Sequence, residues 1–238
     1  MKRGLLSLSL CLFAVAAPGA ARQRPLPGHA YANPSAVIAA EIAFAQLAQD
    51  KGQWTAFRAT AAPGAKMFQP QPVLVSQFLG NRADPATTVK WQPHEVWMSC
   101  DGSYAVTRGA WQRPEVTGYF ITVWQRQKDG GYKWVLDQGE GLVQPLPAPD
   151  MIRARVADCP ERRRGSPPVR PASAPNPRGK GTPLPPPIDP LSAASDDGTL
   201  RWTTTVDSAG AREFSLVLTI DGHSGEVLHA SVKAPGRV

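Results

Sequence analysis

The most informative stretch of the chain is "GYFITVWQRQKDGGYKWVLDQG", residues 118–139, in which two apolar-rich runs flank a short turn. The turn, residues 128–131, supplies glycines for the positive φ angles that a short hairpin loop needs. Along the first run one face would carry Phe120, Thr122 and Trp124, and the other Tyr119, Ile121 and Val123. Since neither face is polar, we expect a hairpin in a sheet that is covered on one side and at least partly on the other.

The second run of the hairpin also alternates. Strict alternation places Tyr132, Trp134 and Leu136 on one face, and Lys133, Val135 and Asp137 on the other. Two further strands are predicted upstream, at 92–99 and 104–113, which completes an antiparallel meander.

Helical patterns precede the strands. Residues 34–49 carry Pro34 in the first turn and an apolar stripe of Val37, Ile38, Ile42, Phe44, Ala45 and Leu47. A second helix is predicted through "QWTAFRATA", followed by a short strand, "KMFQPQPV", whose prolines suit a sheet edge. Helices followed by a run of strands indicate an α+β fold, with the helices on one face of a curved sheet.

The N-terminus has the pattern of a signal peptide. Lys2 and Arg3 precede an apolar stretch that ends in small residues, which predicts cleavage near Ala21. We therefore divide this region into a signal peptide, 1–21, and an N-terminal segment, 22–33, and expect an exported protein, periplasmic or secreted. No later run is long and apolar enough to predict a transmembrane helix.

The formal net charge is +7, but it is unevenly distributed. The signal region contributes basic residues only, and a proline-rich stretch around 150–190 carries most of the remaining excess. The part predicted to fold, 34–143, is almost neutral. Nucleic-acid binding is therefore disfavoured, because it requires a basic face on the folded domain.

The last hundred residues differ in composition from the rest. Residues 144–198 are predicted to be a Pro/Arg-rich linker, and residues 199–238 a C-terminal β element of three short strands. An element of that size buries too little surface to be stable alone. We expect it to dock on a partner chain or on the outer face of the main sheet, where Ile121, Val123 and Val135 would otherwise meet water.

Two cysteines, Cys100 and Cys159, remain after removal of the signal peptide. An oxidising compartment permits a disulfide between them, and the alternative is two free thiols. Sequence separation does not choose between the two, because it does not fix the distance between the side chains.

Residues 34–143 resemble the nuclear transport factor 2-like superfamily, specifically its exported, SnoaL-like and ketosteroid-isomerase-like bacterial members of unassigned function. The resemblance is carried by the ordered segments "AEIAFAQLAQDKGQWTAFRATAA", "MFQPQPV", "WQPHEVWMSCDGSYAVTRGAW" and the hairpin quoted above. It implies a cone-shaped fold in which a bent sheet closes over the helices around an apolar pocket. Superposing the segments implies that the isomerase donor and base positions are occupied by Phe44 and Gln69, neither of which can act in those roles.

Candidate functional residues are mostly aromatic. Some of the aromatic side chains are expected to line a ligand cavity: Trp54, Phe57, Phe68, Trp97, Trp111, Tyr119 and Trp124. Asp137 and His94 are the candidate acid–base residues. Neither a metal-ligand spacing nor a phosphate-binding loop occurs, so no metal or cofactor is predicted.

Three functions are compatible with these features. The first is a non-catalytic module that binds a small apolar ligand, and the second is an acid–base enzyme, of isomerase or dehydratase type, that uses the same cavity. The third is an interaction module that forms homodimers through the outer face of the sheet. A purely apolar cavity would favour the first, a buried carboxylate facing a donor the second, and an exposed apolar outer face the third.

Overall fold

The computed structural model describes residues 32–160 and 191–234. The predicted signal peptide, most of the segment 22–33 and the centre of the predicted linker lie outside these ranges. The helices are α1 (Pro34–Lys51), α2 (Gln53–Thr60) and α3 (Val75–Phe78). The strands are β1 (Ala61–Gln69), β2 (Gln71–Leu74), β3 (Lys90–Met98), β4 (Tyr104–Arg113), β5 (Val116–Arg126), β6 (Tyr132–Leu142), β7 (Arg153–Val156), β8 (Leu191–Ala194), β9 (Leu200–Val206), β10 (Arg212–Ile220) and β11 (His223–Val232).

The main sheet has seven strands in the order β2-β1-β6-β5-β4-β3-β7. The predicted meander forms its centre, because β3, β4, β5 and β6 pair antiparallel with their neighbours in sequence. The prolines near residue 70 lie at the edge hairpin formed by β1 and β2, where a missing N–H does not interrupt the ladder. The described residues thus have the α+β class, with three helices and a large sheet among them.

Local sequence sets the positions of the first two helices. The Asn33 side chain caps α1 by accepting a hydrogen bond from the backbone N–H of Ala36, and Pro34 occupies the first turn. Between α1 and α2, Gly52 has a φ of 104°, and a Cβ there would lie 2.3 Å from the Asp84 carboxyl carbon. Asp84 in turn accepts hydrogen bonds from the backbone and side chain of Thr55, which fixes the start of α2.

The stripe that α1 buries differs from the predicted one. Its buried residues are Val37, Glu41, Phe44 and Ala48, whereas Ile42 is 50% exposed. Apolar periodicity alone does not identify this stripe, because an acidic residue, Glu41, completes it. Glu41 is therefore on the core side of the helix.

Two hydrophobic cores lie on opposite faces of the main sheet. The inner core joins the helices to residues such as Trp124 and Trp134. The outer core joins Ile121, Val123 and their neighbours to the C-terminal sheet, which has the strand order β11-β10-β9-β8. The outer face is therefore covered by the chain's own residues, and the apolar surface predicted for a homodimer is occupied.

Two parts of the predicted linker 144–198 have regular structure. Residues 153–156 form β7, which pairs parallel to β3, and residues 191–194 form β8, which pairs antiparallel to β9. The C-terminal sheet consequently has four strands rather than three. These two strands were not predicted because the region is rich in proline. Each strand has only four residues, and β3, the partner of β7, is distant in sequence.

Cys100 and Cys159 are joined by a disulfide with a Cα–Cα distance of 5.0 Å. The bond connects the end of β3 to the segment that follows β7. Of the two alternatives left open by the sequence, the structure has the disulfide.

Candidate functional site

A cavity of about 330 Å³ lies between the helices and the inner face of the main sheet. Residues from α1, α2, β1 and the meander contribute to it. The aromatic side chains that line it, among the described residues, are Phe44, Trp54, Phe57, Trp91, Trp111 and Phe120. Its polar lining includes Gln53, Gln69, Arg113, Asp137, Gln138 and Glu140.

The aromatic walls are ordered by contacts between rings. The Phe44 ring lies edge-on to Phe57 and to Trp91, with centroid distances of 4.9 and 4.8 Å. Trp54 packs in the same manner on Phe57, at 5.6 Å. These edge-to-face arrangements are the favoured geometry for aromatic pairs, and they give the cavity a preformed wall.

A glycine on the neighbouring strand leaves room for the Trp111 ring at the cavity. Trp111 lies opposite Gly118 in the β4–β5 ladder, and a Cβ on Gly118 would be 2.3 Å from the Trp111 ring. The indole N–H donates to the carbonyl of Tyr119 at 3.0 Å. The glycine thus allows the ring to lie flat against the sheet and form part of the lining.

Asp137 is brought into the cavity by a β-bulge. Val123 lies opposite Leu136, whereas the next residue, Trp124, lies opposite Trp134, so Val135 is an extra residue in β6. The bulge puts Trp134 and Asp137 on the same inner face, although strict alternation predicted opposite faces. Bulges frequently redirect a side chain next to a functional site, and this one redirects a carboxyl.

The environment of Asp137 makes its carboxyl hard to ionise. Its pKa is raised to about 7, mainly by burial and to a smaller extent by the nearby Glu41 carboxyl. One carboxylate oxygen, Oδ2, accepts a hydrogen bond of 2.8 Å from the Thr122 hydroxyl, which opposes the shift. No hydrogen bond from the described part of the chain reaches Oδ1, so that oxygen is available to a ligand.

Behind the cavity wall, Glu41 is fully buried among hydrogen-bond donors. The Trp91 indole N–H donates to its Oε1 at 2.8 Å. Its Oε2 accepts from the Thr107 hydroxyl at 2.6 Å and from the Trp124 indole at 3.0 Å. Burial raises the pKa of Glu41, and these three hydrogen bonds counteract the rise.

Arg113 and Glu140 mark the solvent side of the cavity. The Arg113 guanidinium lies over the Trp111 ring, 5.7 Å from its centroid. Glu140 lines the cavity and also accepts a hydrogen bond from the backbone N–H of Lys233, which follows β11. The C-terminal sheet therefore contacts one of the lining residues.

The predicted site residues fall into three groups. Trp54, Phe57, Trp111 and Asp137 line the cavity. Phe68, Trp97 and Tyr119 lie on the outer face and pack against the C-terminal sheet, because alternation along their strands turns them away from the helices. Trp124 is buried in the inner core, where its N–H donates to Glu41 rather than to the cavity.

His94 does not reach the cavity. It lines a separate depression beside Pro145 and Leu146, and burial together with the charge of Arg108 lowers its pKa. A bulge in the pairing of β3 with β4, between Pro93 and Glu95, leaves His94 out of the regular ladder. Asp137 is accordingly the one of the two acid–base candidates that can meet a ligand in this cavity.

Phe44 and Gln69 both line the cavity. Neither side chain titrates, so neither can exchange a proton with a ligand. Within residues 32–160 and 191–234 no cluster of three or more metal-binding side chains is found. Of the described helices, none has the length and apolar character needed to cross a bilayer.

Several lining residues were missed by the sequence analysis, among them Trp91, Met67, Phe120 and Gln53. Trp91 is at the start of β3, where the pattern gave no reason to prefer it to Trp97. Glu41, which supports the site from behind, had one detectable signal, its position four residues after Val37 and three before Phe44 on the same helix face.

Comparison with known proteins gives few matches. No family model matches the chain, and no curated protein matches it. The chain is similar to a nuclear transport factor 2-like superfamily protein. That solved structure, from Salmonella enterica subsp. enterica serovar Typhimurium strain LT2, is 17% identical, with a TM-score of 0.35. The match covers 47% of this chain and 92% of that chain.

Proposed function

We propose that this protein is an exported, nuclear transport factor 2-like protein that binds a small, mainly apolar organic molecule without transforming it. The ligand would occupy the aromatic cavity, with its polar group at Asp137. In this proposal the C-terminal sheet is a structural cover of the outer face.

One observation carries the proposal: a preformed cavity with six described aromatic lining residues also contains the Asp137 carboxyl, whose Oδ1 accepts no hydrogen bond from the described residues. The volume, about 330 Å³, is within the range of small-molecule sites. Aromatic walls supply affinity for an apolar body, and a single positioned polar group supplies orientation. The third function, an interaction module, requires an exposed apolar outer face for dimerisation. The C-terminal sheet covers that face, so this function is less favoured.

The acid–base alternative is favoured by one specific feature of the same site. A general base is most effective when its pKa is near the working pH, and the pKa of Asp137 is raised to about 7. In that reaction Oδ1 of Asp137 would remove a proton from a ligand carbon or hydroxyl and return it elsewhere. The described lining residues that can donate a hydrogen bond to the resulting anion include Gln53 and Gln69.

Native mass spectrometry of full-length protein, purified from the periplasm of an expressing cell, tests the binding function. We expect a bound metabolite in the wild-type protein and a reduced bound fraction in Trp54→Leu. The exposed variant Asp50→Asn is the control and should retain the ligand. A wild-type protein that emerges empty, and stays empty with every offered cell extract, would argue against the binding function.

Deuterium exchange separates binding from catalysis. The recovered ligand is incubated in D2O with wild-type protein or with Asp137→Asn, and its mass is measured. Binding alone leaves the carbon-bound hydrogens unexchanged in both samples. Deuterium incorporation with the wild type, abolished in Asp137→Asn, would replace the binding proposal by the acid–base one.

A further inference from the structure

The aromatic cavity has the features of a site for a positively charged organic molecule. Three of its lining residues are tryptophans, Trp54, Trp91 and Trp111, whose ring faces attract cations more strongly than those of tyrosine or phenylalanine. An uncharged apolar ligand would need no such excess of indole rings. The composition of the wall is therefore the first indication of ligand charge.

The charges around the cavity also favour a positively charged ligand. The described lining residues include two carboxyls, Asp137 and Glu140, and a single basic residue, Arg113. Arg113 is exposed to solvent, and its guanidinium already lies over the Trp111 ring, 5.7 Å from the centroid. Among the residues that the structure describes, the inner part of the cavity thus has a carboxyl and no basic side chain to neutralise it.

Glu41 increases the attraction of the Trp91 ring for a cation. The Trp91 indole donates its N–H to the Glu41 carboxyl at 2.8 Å, while Trp91 also lines the cavity. Donation of this N–H to a carboxyl shifts electron density toward the ring, because hydrogen bonds in a low-dielectric interior polarise the groups they join. A more electron-rich face binds a cation better.

We propose that the ligand is an organic cation, a protonated or quaternary amine, held against the tryptophan faces with Asp137 as its counter-ion. This inference rests on the proposed binding function and specifies its ligand class. The ammonium group would replace the charge partner that Asp137 lacks among the described residues, and the aromatic walls would replace its water shell. Desolvated cation–π contacts and a buried counter-ion act together in such a site.

Calorimetric titration of the full-length protein with two probes of equal shape tests the inference. Choline and 3,3-dimethylbutan-1-ol differ in having a charged nitrogen or a neutral carbon at the branch point. At pH 8 we expect choline to bind at least tenfold more tightly than the alcohol. Asp137→Asn should reduce that preference at least fivefold, and the exposed Asp50→Asn should leave it unchanged.

A pH series adds a second readout. The charged group that acts on Asp137 among the described residues is Glu41 from α1, whereas Glu140 and Arg113 line the solvent side of the cavity. The ionised form of Asp137 is the one that attracts a cation. Choline affinity should therefore rise between pH 5.5 and pH 8 in the wild type and stay nearly flat in Asp137→Asn.

The outcomes distinguish this inference from the function on which it rests. Equal binding of both probes, or preference for the alcohol, would overturn the inference that the ligand is a cation. The cavity would then be a site for a neutral ligand. Binding of neither probe would also overturn it, and the binding function would then depend on the native mass spectrometry alone. Choline affinity that falls as the pH rises would indicate a neutral acceptor ligand bound by protonated Asp137.

Discussion

Asp101 and Asp197 exchange hydrogen bonds across the boundary between the two sheets. The backbone N–H of Asp101 donates to the Asp197 carboxylate at 2.8 Å, and the backbone N–H of Asp197 donates to the Asp101 carboxylate at 3.0 Å. Both residues belong to turns with the pattern Ser-Xaa-Asp-Gly-Ser/Thr, at 99–103 and 195–199. The disulfide of Cys100 lies within the first of these turns.

In each turn the carboxylate also organises its own loop. Asp101 accepts from the side chains of Ser99 and Ser103, and Asp197 accepts from those of Ser195 and Thr199. The two turns are therefore equivalent halves of one paired contact. This contact fixes the C-terminal sheet on the main sheet at one end of the outer core.

We expect Asp197→Asn to destabilise the protein by about 1–3 kcal/mol, because an amide replaces a carboxylate that accepts several partly buried hydrogen bonds. Chemical denaturation measures the change. The neighbouring Asp196→Asn is the matched control, since Asp196 is exposed and takes part in the contact through its backbone. Equal stability of the two variants would mean that the paired turns contribute little.

The effect of Asp197 should also depend on pH. Burial acts to raise its pKa, but hydrogen bonds from Ser195 and Thr199 outweigh burial and lower it. A lowered folded-state pKa contributes stability that is present above the unfolded value, about 4, and is lost as the pH falls through the folded value. The stability difference between wild type and Asp197→Asn should therefore shrink below about pH 4.

Asp137 should show the opposite pH dependence. Its folded-state pKa of about 7 is higher than its unfolded value, so the folded state holds the proton more tightly. Stability should fall as the pH rises from about 4 to about 7, by an amount on the order of 2–4 kcal/mol. Thermal melts over this range should show the fall in the wild type and a smaller one in Asp137→Asn.

Trp134→Ala should cost about 3–5 kcal/mol of folding free energy through the cavity that it creates. Trp134 is fully buried, packs on Phe44 and Phe57, and donates its indole N–H to Thr60 at 2.9 Å. Urea denaturation measures the loss, and Trp134→Phe, which retains most of the ring volume, should lose less. An unchanged midpoint in Trp134→Ala would mean that the hairpin is peripheral.

Truncation after Pro160 should promote self-association. The cut removes β8 to β11 and exposes the outer core residues Val106, Ile121 and Val123, which are completely buried in the whole chain. We expect larger species in sedimentation velocity and more binding of a hydrophobic dye. A truncated form that stays monomeric, with no added dye binding, would contradict this expectation.

Two substitutions in the full chain test the same interface without truncation. Leu216 is fully buried against the main sheet, whereas the next residue on β10, Val217, is on the other face and half-buried. Leu216→Gln should increase dye binding, and Val217→Gln should not.

The sequence by itself determined the elements of the main domain and the faces of β5. Phe120 and Trp124 are on the inner face and Ile121 and Val123 on the outer one, because alternation along a strand is a local property of the backbone. The turn glycines and the change from helical to strand periodicity are local in the same sense. An apolar outer face together with an apolar tail also predicted that the C-terminal β element docks on a partner chain or on the main sheet, and the outer core joins its residues to those of the main sheet.

Only the tertiary structure decided which residues meet at the cavity. The bulge at Val135 reversed the predicted side of Asp137, and it depends on the register between two strands rather than on the composition of either. The role of Glu41 depends on three donors that are fifty, sixty-six and eighty-three residues away, Trp91, Thr107 and Trp124. The pairing of the turns at Asp101 and Asp197 is a contact of the same kind. Contacts over such separations are fixed by how the elements pack, and no local pattern in the chain encodes them.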